Sequence, residues 1–335
     1  MDFSFLLKTQ SRVVKVLQNG IKKNRTSQVY LFEGAKGTPK MQAAMYLATM
    51  LMCDNHNGCG ECINCKRLEK GVHPRLFIVE PTKGEGVGSL PSIKKEQITQ
   101  LEQQFIYSSI EKGPRIFIIN NIDMATLSSA NTLLKFLEEM KEDCYGILIT
   151  DNLSSVISTI KSRSQIISFD KISKDTLQDI YLSKGIDLEQ ARIISNLTNN
   201  SSEGLELAKS ETLINLVTLV KKITQAFLSD QNALLVFVEE GKFLLSSNDK
   251  AMHNLFMNLL ITITNDRLYY ILGKKKEMVF VESLEEMDEE GYDINEFGYN
   301  ETFRQLETML SFQDRLTYNV NLELMYYDLF IKCEV

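Results

Sequence analysis

No stretch of this 335-residue sequence approaches the ~18 consecutive apolar residues that read as a transmembrane helix. The opening, MDFSFLLKTQ, lacks the basic-then-apolar pattern of a secretory signal, so the chain is expected to be cytoplasmic, with no membrane association. Positive net charge is also missing. At −7 the chain is no freestanding nucleic-acid binder sheathed in positive potential, although local patches can still meet phosphate. Without a secretory context, the six cysteines argue for metal or reduced thiols rather than a disulfide framework. What is present is a globular composition, 44% hydrophobic and 24% charged, with apolar material for two or three packed domains.

Residues 1–40 carry eight basic side chains (Lys8, Arg12, Lys15, Lys22, Lys23, Arg25, Lys36, Lys40) against Asp2 and Glu33, a local charge of +6. Val13, Val14, Leu17 and Ile21 recur at helical spacing, so 10–23 is expected to be an amphipathic helix with its charges in solvent. Five short apolar runs follow, at Val29–Phe32, Leu76–Val79, Ile116–Ile119, Ile147–Thr150 and Ile166–Phe169. Their lack of alternation predicts strands buried on both faces. Helix-patterned stretches at 40–52, 93–106 and 127–140 lie between them, which predicts a parallel α/β sheet. After Phe169 the β signal fades. The stretch 170–210 suits a small helical subdomain, and 211–335 a helical bundle whose most apolar helix is 253–272. From Glu277 to Thr302 there are ten acidic residues and no basic one, and this segment is expected to be a solvated insertion or loop.

Gly34-Ala-Lys-Gly37-Thr-Pro39-Lys40-Met41 falls between the first strand and the first long helix, where a P-loop belongs. Such a loop wraps phosphate in backbone N–H groups and needs glycines, a lysine for charge and a Ser/Thr hydroxyl for Mg²⁺. Gly34, Gly37 and Lys40 remain, but Pro39 removes a donor and Met41 cannot ligate a hard metal. The third strand runs into Asn120 and Asn121 where a metal-ligand carboxylate and a base would stand. Losing these charges removes many kcal/mol of transition-state stabilisation from phosphoryl transfer, so little or no intrinsic ATP hydrolysis is expected and ATP binding is doubtful. The same residues also fit a βα turn that never met nucleotide, or one that retains nucleotide without hydrolysing it.

Cys53, Cys59, Cys62 and Cys65 are spaced C-x5-C-x2-C-x2-C in a stretch rich in Gly and Asn. Four thiolates close a tetrahedral zinc shell, which predicts a structural staple rather than a catalytic centre. An iron–sulfur cluster is the chemical rival, but Glu69 stands where a ferredoxin-like run places its next cysteine. His56 is not expected to be a ligand. Cys144 and Cys333 are isolated and expected to be packed thiols, and His73, before Pro74, a turn residue.

With these features the chain carries Asn131-Thr-Leu-Leu-Lys135-Phe-Leu-Glu138-Glu139, Thr159-Ile-Lys-Ser162-Arg163-Ser164 and Asn319-Val-Asn321-Leu322. Together they resemble the delta-prime subunits of bacterial DNA polymerase III clamp loaders, of the AAA+ group, in order and spacing from residue 10 to 169 and more weakly beyond. The resemblance implies an AAA+ RecA-like domain at 1–169 with a zinc module at 53–65, a helical lid at 170–210, and a helical collar at 211–335 bearing the acidic insertion. It implies a non-hydrolysing stator of the DNA polymerase III holoenzyme that assembles with delta and gamma/tau subunits to load a sliding clamp on primer-template DNA. In the Ser-Arg-Cys motif, here Ser162-Arg163-Ser164, the arginine reaches a neighbour's ATP, a role that falls to Arg163. A solvated surface arginine is the plainer reading of that residue. Ser164 replaces the motif's cysteine, the first cysteine spacing is shorter than usual, and Ser201-Ser-Glu-Gly204 lacks the sensor arginine of hydrolysing relatives. The competing functions are an active gamma/tau-like AAA+ ATPase, which would need the missing carboxylates, and a zinc-dependent DNA-binding protein. The latter would rest on Lys66, Arg67 and Lys70, which Glu61 and Glu69 offset.

Overall fold

The computed structural model describes residues 1–335 except 84–89, 108–112, 230, 293, 295–297, 317, 319–320 and 335. The chain divides into two units, Met1–Ile172 and Ser173–Val335. The first is built on a parallel sheet of β1 (Val29–Glu33), β2 (Leu76–Val79), β3 (Arg115–Ile119), β4 (Cys144–Thr150) and β5 (Gln165–Ser168). Their order across the sheet is β2-β3-β4-β1-β5. Side chains alternate in direction along a strand, and both faces here are covered. Tyr30, Phe32, Ile116, Ile118, Ile147 and Ile149 pack with helices Ser11–Lys22 and Lys40–Met52. Leu31, Phe117, Ile119 and Leu148 pack with helices Lys95–Tyr107 and Leu127–Glu138 on the other face.

The expectation of burial on both faces fails for the edge strands, because an edge lacks a neighbour to shield it. Ile78 of β2 is half exposed, and in β5 only Ile167 is buried. Helix Ser11–Lys22 does turn Val13, Val14 and Leu17 inward. Lys40, one of the eight basic side chains of residues 1–40, is enclosed.

The second unit contains no strand among its described residues. Helix Lys250–Ile271 packs against Gly298–Arg315 and Glu211–Phe227. The acidic segment is not a solvated loop. Helix Val281–Glu289 runs through it, with Phe280, Leu284 and Met287 buried, and Asp266 Oδ2 accepts the Val279 and Phe280 N–H groups, each at 2.8 Å. Apolar residues at helical spacing bury one face and leave the carboxylates on the other. Residues 293 and 295–297 of that segment, and Asn319 and Val320 of the last motif, lie outside the described residues. Among the described residues no helix is long and apolar enough to cross a membrane.

Candidate functional site

β1 lies beside β4, so the loop after β1 meets the residue that follows β4. A Cβ on Gly34 would come within 2.8 Å of the Phe169 carbonyl oxygen, and Gly37 adopts φ +88°, so both glycines answer backbone constraints. Lys40 does not reach out of this loop. Its Nζ donates to Gly34 O at 2.7 Å, Ala35 O at 2.8 Å and Thr38 Oγ1 at 2.9 Å, and pairs with Asp151 Oδ1 at 2.8 Å. Two backbone donors beside it are also engaged. Thr38 N–H bonds to Ala35 O and Lys40 N–H to Thr38 O, while Pro39 has no N–H to offer. A phosphate entering here must displace the loop's own carbonyls and a carboxylate.

Met41 packs against the sheet core. Asn120 Nδ2 lies 3.4 Å from Glu80 Oε1, and Asn121, held at φ +53°, places Nδ2 3.5 Å from Asp151 Oδ2. The nearby carboxylates are thus already partnered, Asp151 by Lys40 and Asp123 by the Thr150 hydroxyl at 2.7 Å. The sequence reading missed Asp151. Its signal was an acidic residue directly after an apolar strand, at the sheet end where the P-loop lies.

Arg163 terminates helix Ser158–Ser162, immediately before β5. Its side chain is 42% exposed, with Nη2 2.5 Å from Glu138 Oε1 and Nη1 donating to Thr159 O at 3.3 Å. Ser162 turns its hydroxyl back to Thr159 O at 3.0 Å. In the second unit, Glu203 of the Ser201–Gly204 stretch accepts the Thr198 hydroxyl, and a Cβ on Gly204 would strike the Tyr181 oxygen at 2.0 Å.

The four cysteines come together. The sulfurs of Cys53, Cys59, Cys62 and Cys65 all lie within 4.8 Å of one another, and among the described residues this is the one His/Cys/Asp/Glu group able to share a metal ion. Left-handed residues at His56, Gly58 and Gly60 fold the chain around it, with His56 outside the cluster. Backbone N–H groups of Cys59, Cys62 and Cys65 reach the sulfurs of Cys53, Cys59 and Cys62, each at 3.4 Å. Burial opposes ionisation of Cys53, but N–H donation from Cys59, Asn57 and Asn55 outweighs it and lowers that thiol. Burial, with the neighbouring sulfurs, raises Cys65. A tetrahedral thiolate shell with N–H donors behind it fits zinc. Cys144 and Cys333 are buried and stand apart from it.

A polar network ties this cluster to the sheet. Asn64 Nδ2 donates to Asp54 Oδ1 at 2.8 Å, and its Oδ1 meets His73 Nε2 at 3.0 Å and Arg75 Nη2 at 3.2 Å. His73 Nδ1 accepts the Arg75 N–H, which makes Nε2 the protonated nitrogen. His73 is therefore a buried relay as well as a turn residue, just before β2.

The sequence profile described as DNA polymerase III, delta subunit, matches residues 9–173. The chain is 30% identical to the DNA polymerase III subunit delta′ of Bacillus subtilis over 94% of its own length and 93% of that protein. It is 29% identical to the tau subunit of the same organism over 55% of its length, spanning about a third of tau. Among solved structures, a DNA polymerase III gamma subunit-related protein from Thermotoga maritima aligns over 96% of this chain and 98% of that one, with 16% identity and a TM-score of 0.40. With similarity to the Bacillus protein running nearly end to end, the chain belongs to the delta-prime family of bacterial DNA polymerase III subunits.

Proposed function

We propose that the chain is a non-hydrolysing stator of the replicative clamp loader, assembling with delta and gamma/tau subunits to place the sliding clamp on primer-template DNA. In this reading the first unit supplies Arg163 in trans to a neighbour's ATP, residues 170–210 act as a lid, and 211–335 form the collar that holds the ring. The four cysteines hold a structural zinc, and the complex works in the cytoplasm. The observation that carries the reading is the opposite treatment of two cations in one unit. Lys40, which a motor subunit would direct at its own nucleotide, is enclosed by four internal acceptors. Arg163, which serves only a neighbour, is open to solvent and paired with one exposed carboxylate. The contacts to Glu138 and Thr159 O use only part of the guanidinium, so Arg163 keeps donors for a neighbour's nucleotide. A guanidinium delivered in trans stabilises charge on the transferring phosphoryl group and makes hydrolysis depend on assembly.

Two measurements test this. The purified chain alone should show no steady-state ATP turnover, and turnover abolished by Lys40→Ala would make it a motor. In the reconstituted loader, Arg163→Ala should lower ATPase by ~10³-fold or more at the site it serves. Unchanged ATPase in a fully assembled ring would remove the trans role.

A further inference from the structure

The pair that Arg163 makes with Glu138 brings together two of the sequence motifs singled out above, one at the end of helix Leu127–Glu138 and one at the end of helix Ser158–Ser162. They border an open hollow of about 360 Å³ on the flank of the sheet. Its other lining includes Ser27, Gln28 and Gln165, all neutral, so among the described lining residues Glu138 and Arg163 are the only charged side chains. These polar neighbours are engaged elsewhere: the Ser27 hydroxyl donates to Gln165 Oε1 at 2.6 Å, and Gln28 Nε2 donates to Lys141 O at 3.0 Å. The guanidinium is held from two sides, with Nη2 on Glu138 and Nη1 on the Thr159 carbonyl oxygen. A guanidinium has more N–H groups than these two contacts use, so it can be oriented and still offer donors to a phosphate.

Building on the trans role proposed for Arg163, we propose that Glu138 is its positioning residue: the Glu138 carboxylate fixes the guanidinium for the γ-phosphate of a neighbouring subunit's ATP. A free arginine side chain samples many rotamers, and the entropy of arresting it would otherwise be lost at the transition state. Glu138 and Thr159 O remove much of that freedom beforehand. The carboxylate touches the arginine and not the nucleotide, so its loss loosens aim without deleting the charge.

The test is the ATPase of the fully assembled loader carrying Glu138→Ala, Glu138→Gln, Arg163→Ala or Glu138→Ala with Arg163→Ala. Glu138→Ala should lower kcat by about two- to fivefold, the scale of an exposed ion pair, with KM for ATP unchanged. Glu138→Gln keeps an acceptor oxygen and should recover most of the rate. In the Arg163→Ala background, Glu138→Ala should cost nothing more. A kcat that is unchanged or raised by Glu138→Ala, or a loss that persists without Arg163, overturns the positioning role. If Arg163→Ala itself leaves the rate intact, it is the trans role that fails. If Arg163→Ala slows the loader and Glu138→Ala does not, only the assignment of Glu138 fails.

Discussion

Replacing Lys40 by methionine separates a lysine that waits for phosphate from one that closes its own loop. The side chains are similar in length, so the change removes the ammonium and little packing. Lys40 is 4% exposed at its side chain and its partner Asp151 is 32% exposed. Breaking a buried pair from one side costs ~3–5 kcal/mol because the other charge is left uncompensated. Asp151 is exposed enough to recover water and keeps a contact with Asn121, which reduces that figure. Gly34 O, Ala35 O and Thr38 Oγ1 each lose a donor, at ~0.5–1.5 kcal/mol apiece where water does not replace it. These effects overlap, so the expected loss is about 2–3 kcal/mol for the first unit. Urea denaturation, with hydrogen exchange at the β1 and β4 amides to assign the loss to this unit, measures it. A lysine directed into an open crevice would change stability by less than ~0.5 kcal/mol on the same substitution. A result in that range refutes the closed loop. Asp151→Asn, which keeps an acceptor oxygen, should cost less than Lys40→Met.

Elemental analysis should find about one zinc per chain. Stripping it should lower the melting temperature and raise exchange in helix Ile63–Glu69 and at the start of β2, because Asn64 and His73 join them; a metal-free chain with unchanged melting defeats the staple. Gly146 faces the Phe117 ring, where a Cβ would lie 2.3 Å from the ring, and Phe105 and Phe136 hold that ring from other sides. Gly146→Ala should therefore cost ~1–3 kcal/mol by denaturation, and a neutral result would mean the ring can move aside. Burial pushes Asp266 up to about 6, against the two N–H bonds that lower it. The folded chain thus holds this proton more tightly than the unfolded chain, whose ordinary value is 3.8. The ionised form weighs on stability above pH 6, and that burden lifts as pH falls through 6 toward 4. Relative to Asp266→Asn, the native chain should gain melting temperature between pH 7 and pH 5; a flat difference refutes the shift.

The sheet was legible because both faces of its central strands are covered, which leaves apolar runs without alternation. Edge exposure was not, since Leu76–Val79 and Ile166–Phe169 are as apolar as the central runs and only topology places them outermost. The acidic segment misled through its charge count, which drew attention from Phe280, Leu284 and Met287, one helical turn apart. The cysteine spacing gave the cluster directly, because its ligands lie within one short stretch. Partners distant in sequence were hidden: Asp151 meets Lys40 only because β4 lies beside β1, and Glu138 meets Arg163 only because two helix ends converge. Arg163 itself was singled out by resemblance rather than by any property of its neighbours in sequence.

A loop that loses its metal ligands need not close. Had only Met41, Asn120 and Asn121 changed, Lys40 would still face an open nest and attract any polyphosphate as a point charge. Instead Asp151 neutralises Lys40, Asn121 approaches the other carboxylate oxygen, and the loop carbonyls occupy the remaining ammonium donors. That circuit makes the loop self-satisfied, with its lysine bonded internally rather than left for a ligand. For the arginine role proposed above, such closure has a mechanical consequence. The strand that leads into the P-loop site, β1, is hydrogen-bonded to β5, which begins two residues after Arg163. On the trans role proposed for Arg163, a closed Lys40 circuit keeps β1 and its neighbour β5 apart from any nucleotide cycle in this subunit, which leaves the timing of hydrolysis to the neighbour that binds ATP.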